Sequence, residues 1–163
     1  MCRRMTAIIS SICGIVFGTV VGMVGMGKVT RRSIEEKSAA SDKHLELFLL
    51  MNQWVKVKQQ GRNVSSYFIK HGYHKIAVYG MSYAGEALLN ELKDSSIEVI
   101  YGIDKNADKI YADGINIVTA EDSLEKVDVI VVTAISFFDE IEEQLSGKIN
   151  CPIVSLKEIL YDI

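Results

Sequence analysis

Gly80-Met81-Ser82-Tyr83-Ala84-Gly85 follows a run of apolar residues and opens a helical pattern. In a G-x-G-x-x-G turn so placed, the first glycine makes a tight turn and the second lets backbone approach a pyrophosphate. The third lets helix and strand pack closely, while the helix N-terminus offers free N–H groups. Ser82 stands where the middle glycine would be, adding bulk but also a hydroxyl that could bond a phosphate oxygen. Asp104 lies 19 residues beyond Gly85, where a carboxylate can accept hydrogen bonds from a ribose diol. Thr133 through Ser136 follow another apolar run and bring hydroxyls to the same expected edge, and Ser136 with Asp139 also reads as a helix start. Gly80, Ser82, Gly85, Asp104 and Thr133 are therefore the candidate contacts for NAD(P) or a nucleotide sugar. Each feature also has a purely structural reading. The glycines can serve only a tight turn, Asp104 can cap the next helix or hold a turn with Asn106, and Ser136 can be an ordinary N-cap.

The elements that would position these residues alternate regularly. Lys75–Gly80 reads as a buried strand, Tyr83–Leu92 as a helix, Ser96–Ile103 as a second strand, and a helix is expected near Ala107–Tyr111. Ile115–Val118 is a short third strand, and Val127–Thr133 is an unbroken apolar run of the kind buried on both faces of a parallel sheet. Phe137–Leu145 is helical, Pro152–Ser155 a fifth strand and Leu156–Tyr161 a last short helix. Such alternation predicts an α/β fold: a Rossmann-like parallel sheet of about five strands, order 3-2-1-4-5, with its switch point between the first and fourth strands.

Upstream, 34–60 lacks Pro and Gly, and Leu47, Leu50, Trp54 and Val57 recur at 3-4-3 spacing, with Phe48 and Met51 widening the stripe. That stripe either packs on the α/β domain or forms a short coiled coil. Gly61 ends the helix, Asn63 can cap a second one bearing Val64, Tyr67 and Phe68, and Gly72 suits a left-handed C-terminal position followed by Tyr73.

Thr6 to Met26 is 21 residues without a charge, long enough to span a bilayer and flanked by Arg3 and Arg4 before and Lys28, Arg31 and Arg32 after. A cleaved signal peptide is the rival, but Ser38-Ala39-Ala40 lies too far downstream to serve as its cleavage site. The heavier basic flank, with Lys37, predicts that the C-terminal domain faces the cytoplasm. Ser10, Gly14, Gly18 and Gly22 recur every four residues on one face, the spacing at which membrane helices self-associate. The expected organisation is a transmembrane anchor over 1–28, a helical linker over 29–72 and a Rossmann-like domain over 73–163. The lipid bilayer and a second copy of the chain are expected partners, and the cell membrane, crossed once, the expected location.

Charge divides the chain. Residues 1–72 hold 11 Lys and Arg against 4 Asp and Glu, whereas residues 73–163 hold 7 against 17. The acidic half repels phosphate backbones, which argues against nucleic acid, while the basic half suits anionic lipid. Cys2, Cys13 and Cys151 have no motif spacing, and His44, His71 and His74 lack a zinc pattern, so no metal site is expected. No catalytic constellation is visible, no Tyr-x-x-x-Lys pair falls at a useful position, and about 90 residues of α/β domain leave no room for a second substrate domain. Glu86 reads as a charge favoured by the helix dipole rather than as a catalytic acid.

The segments Trp54–Phe68 (WVKVKQQGRNVSSYF), Tyr79–Leu92 (YGMSYAGEALLNEL), Tyr101–Asp108 (YGIDKNAD), Val127–Leu145 (VDVIVVTAISFFDEIEEQL) and Cys151–Leu160 (CPIVSLKEIL) resemble small bacterial Rossmann-like domains. Those domains are found alone or beside transferases of surface-polysaccharide assembly, and the resemblance covers about two-thirds of the chain. More loosely, the pattern is similar to sugar-nucleotide-modifying enzymes and to cytoplasmic NAD-sensing domains of potassium transport. That likeness implies Gly80, Gly85 and Asp104 as nucleotide contacts, with Ser82 a departure. The expected function is a membrane-tethered nucleotide- or nucleotide-sugar-binding module that senses a ligand or recruits a protein partner. The alternatives are a ligand-free interaction scaffold and a small nucleotide-sugar-modifying enzyme.

Overall fold

The computed structural model describes residues 37–38, 40–112 and 114–163. The expected anchor over 6–26 and its Ser10/Gly14/Gly18/Gly22 face lie outside the described residues. Among the described residues, no helix is long and apolar enough to cross a membrane. The chain divides into two compact units, Met1–His44 and Leu45–Ile163. In the first unit, residues 37–38 and 40–44 are helical. The candidate site belongs to the second.

The second unit opens with helix α1 over 45–59 and continues with α2, Ser65–His71. An α/β alternation follows: β1 Lys75–Tyr79, α3 Tyr83–Leu92, β2 Glu98–Ile103, β3 Asn116–Val118, β4 Val129–Val132, α4 Phe138–Ser146, β5 Ile153–Ser155 and α5 Leu156–Asp162. All five strands are parallel, in the expected order β3-β2-β1-β4-β5. This arrangement is compatible with a Rossmann-like fold. Alternate side chains of the central strands feed opposite faces, as the period of two requires. Ile76, Val78, Val129 and Val131 pack with α1, α2, α3 and α5. Ala77, Tyr79, Ile130 and Val132 pack with Ile141 and Leu145 of α4. Burial on both faces explains why β1 and β4 read as apolar runs.

The expected linker thus contributes its second part to the compact unit. Leu50, Trp54 and Val57 of α1 are buried in the same core as the sheet, each burial contributing roughly 1.5–3 kcal/mol. Phe48, expected to widen that stripe, instead lies exposed on the outer side of α1. A polar clamp reinforces the docking. The Glu91 carboxylate on α3 accepts from Trp54 Nε1 at 2.6 Å, from Val64 N–H at 2.8 Å and from Lys58 Nζ at 3.2 Å.

Two local expectations change. Asn63 does not cap α2; its side chain accepts from Lys58 Nζ, and Val64, whose N–H is taken by Glu91, precedes the helix. The C-terminus behaves as expected: Gly72 adopts φ 71° and its N–H reaches Ile69 O, while Tyr73 N–H reaches Phe68 O. Between β2 and β3, the helix expected near Ala107–Tyr111 is a single 3₁₀ turn, Ala107–Lys109. Asp104 takes the Asn106 N–H, and a bridge between Ala112 and Ile115 around left-handed Gly114 returns the chain at once to the sheet. Two tight reversals leave too few residues for an α-helix to propagate.

Candidate functional site

β1 ends at Tyr79, and the chain turns away from the sheet at Gly80, whose φ of 94° is a conformation that favours glycine. An added Cβ there would lie 2.8 Å from Thr133 Oγ1, so both conformation and space exclude a side chain. Gly85 answers a different need. A Cβ on it would lie 2.2 Å from the Gly80 carbonyl oxygen, so α3 comes this close to the turn only because Gly85 lacks one. Ser82 lies between them, exposed and extended at φ −88° and ψ −160°, and its side chain makes no capping bond. The first-turn N–H groups of α3 have no acceptor within the helix, which makes this end electropositive.

Asp104, immediately after β2, meets the turn from the neighbouring strand. Its Oδ2 accepts the Met81 N–H at 2.9 Å, and its Oδ1 accepts the Asn106 N–H at 2.9 Å. Each carboxylate oxygen keeps a further lone pair. Gly102, which the sequence reading did not single out, makes the approach possible, because a Cβ there would lie 2.8 Å from Met81 Sδ and 2.7 Å from Ile117 Cδ1.

A crevice of about 320 Å³ opens at this edge. Gly80, Asp104, Lys105 and Asn106 line it, together with Phe137, Glu140 and Gln144. Tyr79 is part of the lining, and its hydroxyl donates weakly to Gln144 Oε1 at 3.5 Å. Burial, then the charges of Asp104 and Glu121, push the Tyr79 phenol up from its ordinary value, so it remains a neutral donor at physiological pH. Tyr79, Phe137 and Gln144 had no signal in the sequence beyond an apolar strand and an amphipathic helix.

The candidate residues therefore separate by position. Gly80 and Asp104 line the crevice, and Ser82 is exposed at the start of α3. Gly85 and Thr133 are buried beneath the turn. The Thr133 hydroxyl is positioned to donate to Tyr79 O at 3.1 Å or to Gly80 O, so it ties the end of β4 to the turn. Ser136 does not cap α4, which begins at Phe138 after a 3₁₀ turn; its hydroxyl donates to the Glu46 carboxylate on α1. Among the described residues, no group of His, Cys, Asp or Glu is arranged to hold a metal. Among those lining the crevice, Lys105 is the cation, and Asp104 and Glu140 are the carboxylates.

Fold and site together define a small parallel α/β domain with a glycine turn and an acidic residue meeting at the carboxyl edge of its first two strands. The family model described as C2185-like, N-terminal, matches residues 72–157, and the chain belongs to that family. No curated protein and no solved structure matches the chain.

Proposed function

We propose that the 45–163 unit is a Rossmann-like nucleotide- or nucleotide-sugar-binding module, tethered to the membrane by residues 6–26, and that it senses this ligand or recruits a protein partner. The observation that carries this reading is the bond between Asp104 and the Met81 N–H. It holds a ribose-type acceptor against the glycine turn, at a crevice whose 320 Å³ falls at the lower end of ligand sites. The spare lone pairs of Asp104 suit a ribose diol, and the N-terminus of α3 suits a phosphate. NAD(P) and nucleotide sugars are the matching ligand classes, and a place in surface-polysaccharide assembly is the corresponding pathway.

The ligand-free scaffold is the second reading, favoured by two facts. Asp104 is already engaged by two backbone N–H groups, and Glu140 in the same crevice disfavours a diphosphate. Thermal melting of the full-length chain in detergent, with NAD, NADP, nucleoside diphosphates and nucleotide sugars, separates the two. A ligand at a hundredfold excess over its Kd adds about 2.7 kcal/mol and raises Tm by several degrees. If nothing in the panel shifts Tm, the scaffold reading replaces the ligand one.

A further inference from the structure

Helix α1 is apolar on two sides. Its inner stripe, Leu50, Trp54 and Val57, is buried in the core. Its outer side carries Leu45, Phe48, Leu49 and Val55 at 56, 66, 48 and 53% exposure. Leu45, Phe48, Asn52 and Val55 recur at spacings of three, four and three, with Asn52 exposed at the second position of the first kind. This is the a/d pattern of a coiled-coil seam, and a single Asn at an a position is the usual device that holds two helices parallel and in register.

We propose that the outer face of α1 is an interface with a second copy of this chain, packed parallel through Leu45, Phe48, Asn52 and Val55. The exposed parts of the four apolar side chains leave on the order of 400 Å² of non-polar surface on one helix face, the size at which such patches mark interfaces. Doubled across a two-fold axis and rimmed by Lys56 and Gln59, this reaches only the low end of specific interfaces. Tethering supplies the remainder: two chains anchored in one membrane present their α1 helices in the same direction and at high effective concentration. In this respect the proposal rests on the anchor of the proposed function. A lipid surface is the poorer occupant, since Glu46 of α1 shares a hollow with Asp139 and Glu140, and carboxylates beside the face disfavour an anionic surface.

The test uses the full-length chain in its native membrane, with Cys2, Cys13 and Cys151 replaced by Ala and single cysteines introduced as Phe48→Cys, Asn52→Cys or, as a control on α4, Glu142→Cys. Disulfide-linked dimers are expected at 48 and 52 several-fold above 142, and they persist when Gly14→Leu and Gly18→Leu are added. Leu45→Glu with Phe48→Glu removes crosslinking at 52 without lowering Tm, because both side chains are exposed. Equal crosslinking at all three positions, or its complete loss with the glycine replacements, overturns the proposal. So does quenching by brominated lipid of a dye attached to the thiol of the Phe48→Cys variant, which assigns the face to the bilayer instead. Carbonate extraction of the same membranes reports separately on the anchor: a chain released by carbonate refutes the tether, and crosslinking of the released chain still decides the interface.

Discussion

The Asp104 carboxylate and the Met81 backbone N–H lie 2.9 Å apart, joining the turn after β1 to the end of β2. A strand-end acid read from sequence is expected to be dispensable for stability. Here it is half-buried and holds two backbone donors, so Asp104→Ala should destabilise the unit by about 1–3 kcal/mol. Asp104→Asn, which retains one acceptor oxygen, should lose less. Urea unfolding of the two variants checks the order, and a ligand-induced shift of Tm should vanish in Asp104→Ala while surviving in Ser136→Ala, whose hydroxyl is bound to Glu46.

Gly85→Val should be the most damaging single change at the site. Its Cβ would have to displace the Gly80 carbonyl, which lies 2.2 Å from that position, forcing α3 away from the turn. A loss of about 2–4 kcal/mol is expected, by the overpacking mechanism, in a denaturant titration. Ser82→Gly, at an exposed position, should cost only the entropy of a glycine, a few tenths to about 1 kcal/mol. It should tighten a dinucleotide but weaken a ligand whose phosphate the serine hydroxyl holds.

Glu91→Ala should loosen α1. It strands the Val64 N–H, which is part-buried, and the indole N–H of Trp54. Trp54 is the sole tryptophan, so its emission reports directly on the docking. A red-shifted spectrum and a loss of about 2–3 kcal/mol are expected. Glu91→Gln should show a smaller change, and an unaltered spectrum in Glu91→Ala would mean that apolar packing alone seats the helix.

Stability should fall at both pH extremes, for different reasons. Backbone N–H groups of Lys75 and His74 hold the Asp128 carboxyl below its ordinary value, and those of Thr119 and the Lys70 ammonium do the same for Asp122 and Asp162. A depressed folded-state pKa gives stability that is present above the unfolded value, near pH 4, and is lost as pH falls through the folded one. Asp128→Asn should flatten this acid limb. Burial pushes the Tyr101 phenol up to about 12, so its contribution is present below about pH 10 and lost as pH rises toward 12. Tyr101→Phe should soften that alkaline fall in urea midpoints measured against pH.

Strand order, the bounds of α3 and the left-handed Gly72 were legible in the sequence because each follows from local chemistry. Unbroken apolar runs announce strands buried on two faces, and alternation with helices leaves few parallel orders open. The glycine turn was legible too, since only glycine satisfies a φ of 94° and a helix that nearly touches a carbonyl. Where each polar group spends its hydrogen bonds was settled only on folding. Thr133 and Asp104 have the same residue types that a ligand site needs, yet one is turned into the fold and the other is shared between the crevice and the Met81 N–H. Asn63 and Ser136 look like helix caps, but other partners take both side chains: Lys58 Nζ donates to Asn63 Oδ1, and Glu46 accepts the Ser136 hydroxyl. The β2–β3 helix failed for a local reason, since the Asp104–Asn106 turn and the reversal between Ala112 and Ile115 leave room for a single 3₁₀ turn. Periodicity reports which side chains leave water, a property each segment carries by itself. The choice of hydrogen-bond partner depends on segments tens of residues apart in the chain, and only the folded sheet brings those within about 3 Å.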